Sequence, residues 1–243
     1  VDKLGYLMDL PQESNQGIAP KPGAKPYQID INNISLPDNL DQDGLKNVDL
    51  HLAPGERIVI SGTNASSLLD SIFGLKQPHA GYICLDNQDL RELNLGLLRD
   101  TVRLVRHPEI LEGTILDNLR LGRNLDLPQI RVALIQVGLL DAITNLPKSQ
   151  DTRLLPDGYP LTHEQSLRLT LARAIASRPR LLLLDGVLDH IDYRFMSNLI
   201  DHLLDTNAPW TLIVTSNNPL VIERVERRAK MDKGNFTESP GEP

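Results

Sequence analysis

The sequence predicts an α/β fold with a mainly parallel sheet at its core, together with an antiparallel β subdomain and a helical subdomain. Short apolar runs that suit buried strands alternate with longer segments of helical periodicity along most of the chain. The first strands instead alternate apolar and polar residues, which is typical of a half-buried antiparallel sheet. Parallel sheets covered by helices bind ligands at the carboxyl ends of their strands, so site residues are expected there.

The first strands lead into the first candidate site. Residues 27–36 and 45–52 alternate, and residues 55–62 (GERIVISG) then become continuously apolar, as expected for a central strand. This run ends at Gly62, and a short loop follows before the apolar helix SSLLDSIFGL. A strand, a glycine-led loop and a helix in this order are typical of a phosphate-binding loop.

The remaining elements keep the alternation of strands and helices. Residues 81–90 are predicted to form a strand with a turn, and residues 95–107 a helix that leads into a strand. A helical segment follows at about 115–178. The last predicted elements are a strand at 180–186, a helix at 193–206 and a strand at 210–217. Thr162 and Gln165 have the spacing of a capping box, which predicts a helix start at this point of the helical segment.

The composition excludes several classes of function. A net charge of -7 argues against sequence-independent binding of nucleic acid, so no nucleic-acid partner is expected. Cys84 is the only cysteine, which excludes an intramolecular disulfide and a multi-cysteine metal site. The apolar runs are too short to span a bilayer. The basic run from Arg224 to Lys233 is mixed with acids and is interpreted as a solvated face.

The domain boundaries follow from the proline and glycine content. Residues 11–27 are rich in both, so residues 1–26 are interpreted as a linker. One folded domain is predicted for residues 27–236, with the helical subdomain inside it, and residues 237–243 are predicted to be a tail. The chain begins without methionine, which suggests that it is a piece of a longer protein.

Four segments in this order resemble the nucleotide-binding domain of ATP-binding cassette (ABC) transporters of the exporter type. They are LKNVDLHLAPGERIVISG, GYICLDNQDLRELNLGLLRDTVRLVRHPEILEGTILDNL, LPKSQDTRLLPDGYPLTHEQSLRLTLARAIASRPRLLLLD and WTLIVTSNNP. The resemblance implies a P-loop NTPase-like ABC ATPase fold. It also implies a preceding transmembrane domain as one partner and a second nucleotide-binding domain, identical or different, as another. The implied location is the cytoplasmic face of a membrane, which is the inner membrane in a bacterium.

The phosphate-loop position departs from the family pattern. The family loop G-x-x-x-x-G-K-[ST] surrounds phosphates with backbone N–H groups, a lysine and a hydroxyl that binds Mg²⁺. The corresponding positions here are Gly62, Thr63, Asn64, Ala65, Ser66 and Ser67. Counted back from the end of the helix, this loop is about three residues short and lacks the Gly-Lys corner. Ser66 or Ser67 remains a possible metal ligand, and the alternative is that both cap the helix.

Other family positions also differ. Where an aromatic ring stacks on adenine, the matching residue is Asp38, and where a glutamine contacts Mg²⁺ and the attacking water, it is Arg106. A guanidinium repels the metal, although it can pair with an acid. Asp185 retains the Mg²⁺-water ligand of the family. The general base of the family is replaced by Gly186, and the histidine that senses the γ-phosphate is replaced by Ser216.

The family signature Leu-Ser-Gly-Gly-Gln is also altered. The residues at these positions are Leu161, Thr162, His163, Glu164 and Gln165. The two glycines are therefore replaced by larger side chains, one of which is acidic and stands where a partner's γ-phosphate would lie. The helix that follows keeps its pattern, so the change is a substitution within a preserved scaffold.

These substitutions together predict a degenerate domain with a structural or regulatory role in export, with no catalytic residue, no metal site and no cofactor. One alternative is an atypical ATPase that binds ATP and Mg²⁺ through Asp185 and the serines and hydrolyses slowly. Another is a soluble protein-interaction module. A metal site made of Asp189, His190 and Asp192 is disfavoured, because neighbouring residues of one loop seldom converge without other ligands. Asp192 is instead expected to cap the next helix.

Overall fold

The computed structural model of the chain describes residues 16–37 and 44–239. Its strands are β1 (Ile29–Ser35), β2 (Val48–Leu52), β3 (Arg57–Gly62), β4 (Ala80–Leu85), β5 (Gln88–Asp89), β6 (Val102–Val105), β7 (Gly113–Thr114), β8 (Arg153–Leu154), β9 (Leu181–Asp185), β10 (Thr211–Thr215), β11 (Arg227–Asp232) and β12 (Asn235–Ser239). Its α-helices are α1 (Ala65–Ile72), α2 (Leu95–Leu98), α3 (Ile115–Arg120), α4 (Leu127–Gln136), α5 (Leu140–Thr144), α6 (His163–Ala176), α7 (Tyr193–Leu204) and α8 (Pro219–Arg224).

The central sheet has the strand order β12-β11-β3-β10-β9-β6. The strands from β11 to β6 are parallel, and β12 runs antiparallel to β11 at the edge. In β10, Thr215 pairs with Asp185 on one side and with Ile60 on the other, so the carboxyl ends of three neighbouring strands lie level. The predicted parallel sheet is confirmed, and its carboxyl edge gathers the ends of β3, β9 and β10.

Both faces of this sheet are covered at its centre, which explains why β3, β9 and β10 consist mainly of apolar residues. In β9, Leu182 and Leu184 belong to a core formed mainly with α3 to α7. Leu181 and Leu183 face the opposite core, which includes α1 and the amino-terminal sheet. All four leucines are 0% exposed, so each stabilises the fold by about 2 kcal/mol relative to an exposed side chain.

A second sheet is antiparallel, with the order β2-β1-β4-β5. In β2 the residues Val48, Leu50 and Leu52 are buried, whereas the two residues between them are exposed. One face of this strand therefore packs on the core and the other faces solvent. The predicted antiparallel β subdomain is confirmed.

The helical part of the chain contains α3 to α6 and a two-stranded ribbon in which β7 pairs with β8. At the start of α6, Gln165 N–H donates to Thr162 Oγ1 over 3.2 Å, and Thr162 N–H donates to Gln165 Oε1 over 2.9 Å. The predicted capping box is therefore present.

The basic run from Arg224 to Lys233 presents a solvated face, as interpreted, but it also has a buried face that this interpretation omits. Most of this run is β11, an internal strand between β3 and β12. Ala229 and Met231 are buried on one face, while the charged residues between them lie on the other. β12 continues to Ser239, into the stretch that the sequence assigns to a tail.

Residues 16–26 lie against the antiparallel sheet. Ile18 N–H donates to Glu92 O over 2.8 Å, and Asn94 N–H donates to Ile18 O over 2.9 Å. Lys21 N–H donates to the side chain of Gln88 over 2.7 Å. The described part of the predicted linker is thus hydrogen-bonded to the domain. Within residues 16–37 and 44–239, no helix has the length and apolar character needed to cross a membrane.

Candidate functional site

The glycine-led loop lies at the carboxyl edge of the central sheet, between β3 and α1. Gly62 has φ +100°, and a Cβ placed on it would lie 2.0 Å from Met231 O in β11. Its N–H donates to Asn217 Oδ1 over 2.9 Å, and Thr63 N–H donates to Met231 O over 3.1 Å. Gly62 is therefore required by a close approach to β11, and two loop amides are bonded within the protein.

The next residue, Asn64, turns the chain into α1 with a left-handed backbone at φ 66°. No side chain of the described residues caps this helix. Ser66 and Ser67 lie inside its first turn, where Ser67 N–H donates to Asn64 O over 3.1 Å. The expectation that these serines cap the helix is wrong, because α1 already begins at Ala65.

Asp185 stands at the end of β9 and is only 6% exposed. Its Oδ1 accepts hydrogen bonds from Ser66 Oγ over 2.8 Å and from Thr215 Oγ1 over 2.7 Å. Its Oδ2 accepts a hydrogen bond from Arg106 Nε. Both carboxylate oxygens are therefore engaged by side chains of the chain itself.

Arg106, just after β6, bridges two buried acids. Besides Asp185, its guanidinium contacts Asp70 of α1, with 2.6 Å between Nη2 and Oδ1. Lys76 approaches the other Asp70 oxygen to 3.1 Å. Burial lowers the pKa of Arg106, but the hydrogen bonds to Asp70 and Asp185 outweigh burial and raise this pKa above its usual value.

Asp70, Lys76 and Thr215 are the members of this cluster that sequence reasoning missed. One signal for Asp70 is present: it is the lone charged residue of α1, four residues after Ser66 and hence on the same face. Arg106 reaches Asp70 from the end of β6, so this contact depends on how the chain packs.

The positions of the family's base and sensor are occupied differently. Gly186 follows β9 with φ 66°, and a Cβ placed on it meets no atom of the described chain within 4 Å. Ser216 is buried, and its Oγ donates to Asp189 Oδ1. Asn217 N–H donates to the other Asp189 oxygen over 3.1 Å. Space is therefore open beside Gly186, whereas Ser216 and Asp189 are bonded to one another.

The signature positions lie at the start of α6. Leu161 is buried and His163 is exposed. The Glu164 carboxylate accepts a hydrogen bond from Asp192 N–H over 3.1 Å and pairs with Arg168 over 3.4 Å. Glu164 thus ties α6 to the loop before α7.

Asp192 caps α7, as expected, by accepting from Arg194 N–H over 2.9 Å. Hydrogen bonds from the Arg194 side chain and backbone lower the pKa of Asp192 to about 2. Asp38, the residue at the adenine-stacking position, lies outside the described residues.

A parallel sheet with a strand, loop and helix at its carboxyl edge, and with Asp185 beside the first turn of that helix, defines a P-loop-type nucleotide-binding domain. A sequence model of the ABC transporter family matches residues 45–188, which is more than half of the chain. The chain belongs to the ABC transporter family, as a nucleotide-binding domain of the exporter type.

Relatives with this similarity occur in bacteria, plants and protozoa. The ATP-dependent lipid A-core flippase of Acinetobacter baylyi is 28% identical over 96% of this chain and 41% of its own length. ABC transporter B family member 26, chloroplastic, of Arabidopsis thaliana is 30% identical over 80% of this chain and 29% of its own length. Multidrug resistance protein 1 of Entamoeba histolytica is 27% identical over 83% of this chain and 16% of its own length. The chain spans less than half the length of each of these relatives.

The fold has a close counterpart among solved structures. A bacterial Atm1-family ABC exporter with ATP bound superposes with a TM-score of 0.85 over 98% of this chain and 43% of that chain, at 21% identity. The predicted fold is therefore confirmed. The predicted location is also confirmed, because the nucleotide-binding domains of ABC exporters lie on the cytoplasmic face of the membrane.

The expectation that the chain takes no cofactor is wrong. It belongs to a family whose exporter domains bind ATP with Mg²⁺, and one relative is named as ATP-dependent. Substitutions at single site residues do not exclude ATP with Mg²⁺, which is the ligand of this family of domains. ATP with Mg²⁺ is accordingly the cofactor of this class of domain.

The donor set of the site fits this cofactor in chemical terms. The Ser66 hydroxyl and the Asp185 carboxylate are hard oxygen ligands of the type that Mg²⁺ prefers, and they adjoin one another. The amino-terminal end of α1 favours a phosphate group. Ser66 and Asp185 are the residues that would hold the metal, and Arg106 lies on the same carboxylate.

Proposed function

We propose that the chain is an ABC exporter domain that does not hydrolyse ATP at its own site and that serves transport in a structural or regulatory role. The observation that carries this proposal is Gly186 at the general-base position. A glycine accepts no proton from the attacking water. The two neighbouring carboxylates, Asp185 and Asp189, already accept hydrogen bonds at both of their oxygens.

The electrostatics of the loop support the same proposal. Phosphoryl transfer depends on positioning and on cations that stabilise the developing charge. The cations that contact Asp70 of α1 are Arg106 and Lys76, so both are paired with an acid. Two positive and two negative charges leave this cluster neutral, so it offers little stabilisation to a transition state.

The proposed site residues are the remnants of the family's two half-sites. The first comprises Gly62–Ser67 with Asp38 and Asp185, and the second comprises 161–165. The positions of the family's glutamine, base and sensor, which are Arg106, Gly186 and Ser216, contribute no catalytic group.

The proposed partners are a transmembrane domain of the same transporter and a second nucleotide-binding domain. In this arrangement residues 27–236 are the folded domain, 1–26 the linker from the transmembrane domain and 237–243 the tail. If the second domain is a competent ATPase, its phosphate loop faces residues 161–165 of this chain. Thr162 and His163 are the exposed residues at that helix start.

A weak ATPase is the second candidate, and one observation favours it. Ser66 Oγ and Asp185 Oδ1 are 2.8 Å apart, so the two expected oxygen ligands of Mg²⁺ are in place. This candidate needs a proton acceptor other than the family glutamate. The two candidates therefore differ in turnover rather than in ligand.

We expect Gly186→Glu to leave the 243-residue chain without measurable ATP turnover, as in the wild type. The substitution restores the base, but the loop still lacks the lysine that stabilises the developing charge. A left-handed backbone costs a non-glycine residue about 1 kcal/mol, and the space beside Gly186 is open, so the variant folds. The measurement is phosphate release at saturating ATP and Mg²⁺, with thermal melting as the check on folding.

Gly186→Gln is the matched control, since it has the same backbone strain and nearly the same size without a carboxylate. Turnover in the wild type would contradict the proposed function and favour the weak ATPase. Turnover in the glutamate variant alone would show that the base was the single missing group.

A further inference from the structure

The Arg106 guanidinium lies where it neutralises the acid that would hold a metal ion. It donates to Asp185 Oδ2, while two hydroxyls donate to Oδ1. Asp185 is almost fully buried, so bulk water does not offset its charge. The positive charge that this carboxylate requires is supplied from within the chain.

Asp70 and Lys76 hold Arg106 in this place. Asp70 accepts from Arg106 Nη2 over 2.6 Å and pairs with Lys76 over 3.1 Å. Lys76 Nζ also donates to Ser67 Oγ over 3.1 Å. The guanidinium thus bridges an acid of α1 and an acid of β9, and it satisfies both with one side chain.

A divalent cation and this guanidinium cannot share Asp185 without strong repulsion at such short range. The Arg106 side chain is 36% exposed, and it lines an open groove together with Val105, His107 and Arg120, which leaves it space to move away from Asp185. Binding of Mg²⁺ at Asp185 therefore requires Arg106 to leave the carboxylate.

We propose that Arg106 is an internal competitor of Mg²⁺ at Asp185, so that a Mg²⁺-nucleoside triphosphate binds only as this guanidinium is displaced. The inference rests on the proposed function, because it describes how the ligand of that same site is regulated. It deepens that proposal by separating ligand binding, which Arg106 opposes, from hydrolysis, which Gly186 prevents.

The test measures how strongly Mg²⁺ assists nucleotide binding with and without Arg106. Trinitrophenyl-ATP is titrated into the 243-residue chain with Mg²⁺ and, separately, with a chelator. For the wild type we expect the two apparent dissociation constants to agree within about twofold. For Arg106→Gln we expect Mg²⁺ to tighten binding at least about tenfold, because one charge-assisted hydrogen bond no longer has to be broken.

Arg120→Gln is the matched control. Arg120 lines the same groove but donates through Nε to Leu125 O, so its removal changes the charge of the groove without freeing Asp185. In this variant we expect Mg²⁺ to change the apparent dissociation constant no more than it does in the wild type. A Mg²⁺ effect in Arg106→Gln no larger than in the wild type would overturn the inference, and so would an equal gain in both variants.

A second measurement uses the unaltered chain and applies even if Arg106→Gln fails to fold. The Arg106 Nε–H is followed by nitrogen-15 NMR as ATP is added. We expect its exchange with water to accelerate with ATP and Mg²⁺ and to stay unchanged with ATP and chelator. An unchanged signal at saturating Mg²⁺ and ATP would overturn the inference. Phosphate release tests the proposed function separately, so turnover in the wild type would refute that function without deciding the competition.

Discussion

At the scale of single residues, two glycines with similar backbones have different reasons to be glycine. Gly62 and Gly186 both have a positive φ, of 100° and 66°. A side chain at Gly62 would collide with the Met231 carbonyl, whereas one at Gly186 would enter open space. Gly62 is thus required by the fold, while Gly186 is the site where a functional group is missing.

This difference predicts unequal costs for the same substitution. Gly186→Ala is expected to lower the free energy of unfolding by about 1 kcal/mol, which is the cost of a left-handed backbone for a residue with a Cβ. Gly62→Ala adds a clash with β11 and is expected to cost at least about 3 kcal/mol. Chemical denaturation of both variants measures the difference, and equal losses would show that β11 can move away from the loop.

Much of the candidate site could be predicted from these residues, and part could not. The glycine, serine and acid positions follow from local order along the chain, because each stands at the end of a strand or the start of a helix. That Arg106 can pair with an acid is predictable from its charge, but the choice of Asp70 and Asp185 is not. It depends on how β6, β9 and α1 pack together.

At the scale of elements, buried strands are easier to predict than mixed ones. β9 and β10 are buried at every residue, and each has a run of apolar residues because both faces are covered. β11 is also internal, but only one of its faces is apolar, and its arginines and lysine indicate a surface segment. The sequence therefore indicates the solvated face of β11 but not its place inside the sheet, between β3 and β12.

Arg180 contributes several of the contacts that hold the amino-terminal segment, residues 16–26, on the domain. Arg180 is buried, and its guanidinium stacks on Tyr27 at 3.7 Å from the ring centroid. It donates to Lys25 O over 2.5 Å and to Lys21 O over 3.0 Å, and it pairs with Asp86. Carbonyls of residues 16–26 are therefore fastened to the start of β9.

We expect Arg180→Ala to loosen this segment before it loosens the sheet. Removing one partner of a buried ion pair costs about 3 kcal/mol or more, and the lost bonds belong mainly to residues 16–26. Amide hydrogen exchange is expected to accelerate at Ile18 and Lys21 more than at Leu183 in β9.

Arg131→Ala is the control for this experiment, because Arg131 is an exposed arginine on α4. It should leave exchange at Ile18 and Lys21 unchanged. Uniform acceleration across the domain in Arg180→Ala would contradict a local role, since it would mean that the segment and the sheet open together.

At the scale of the whole molecule, the central sheet joins two apolar cores. Alternate residues of β9 belong to different cores: Leu184 lies in the core that contains Trp210, and Leu183 lies in the core that contains Ile58. Neither core is complete without β9. The parts of the chain that the sequence assigns to different subdomains therefore share β9, and this shared strand couples their stabilities.

This coupling predicts a single unfolding transition, reported from either core. Leu183→Ala and Leu184→Ala each create a cavity and should lower the free energy of unfolding by about 2 to 5 kcal/mol. Trp210, the only tryptophan, reports the core that contains Leu184, and far-UV circular dichroism reports the whole chain. In both variants the two signals are expected to shift together in urea, because loss of β9 removes both cores. A Trp210 midpoint that stays at the wild-type value in Leu183→Ala, while the circular dichroism midpoint falls, would show instead that the two cores unfold independently.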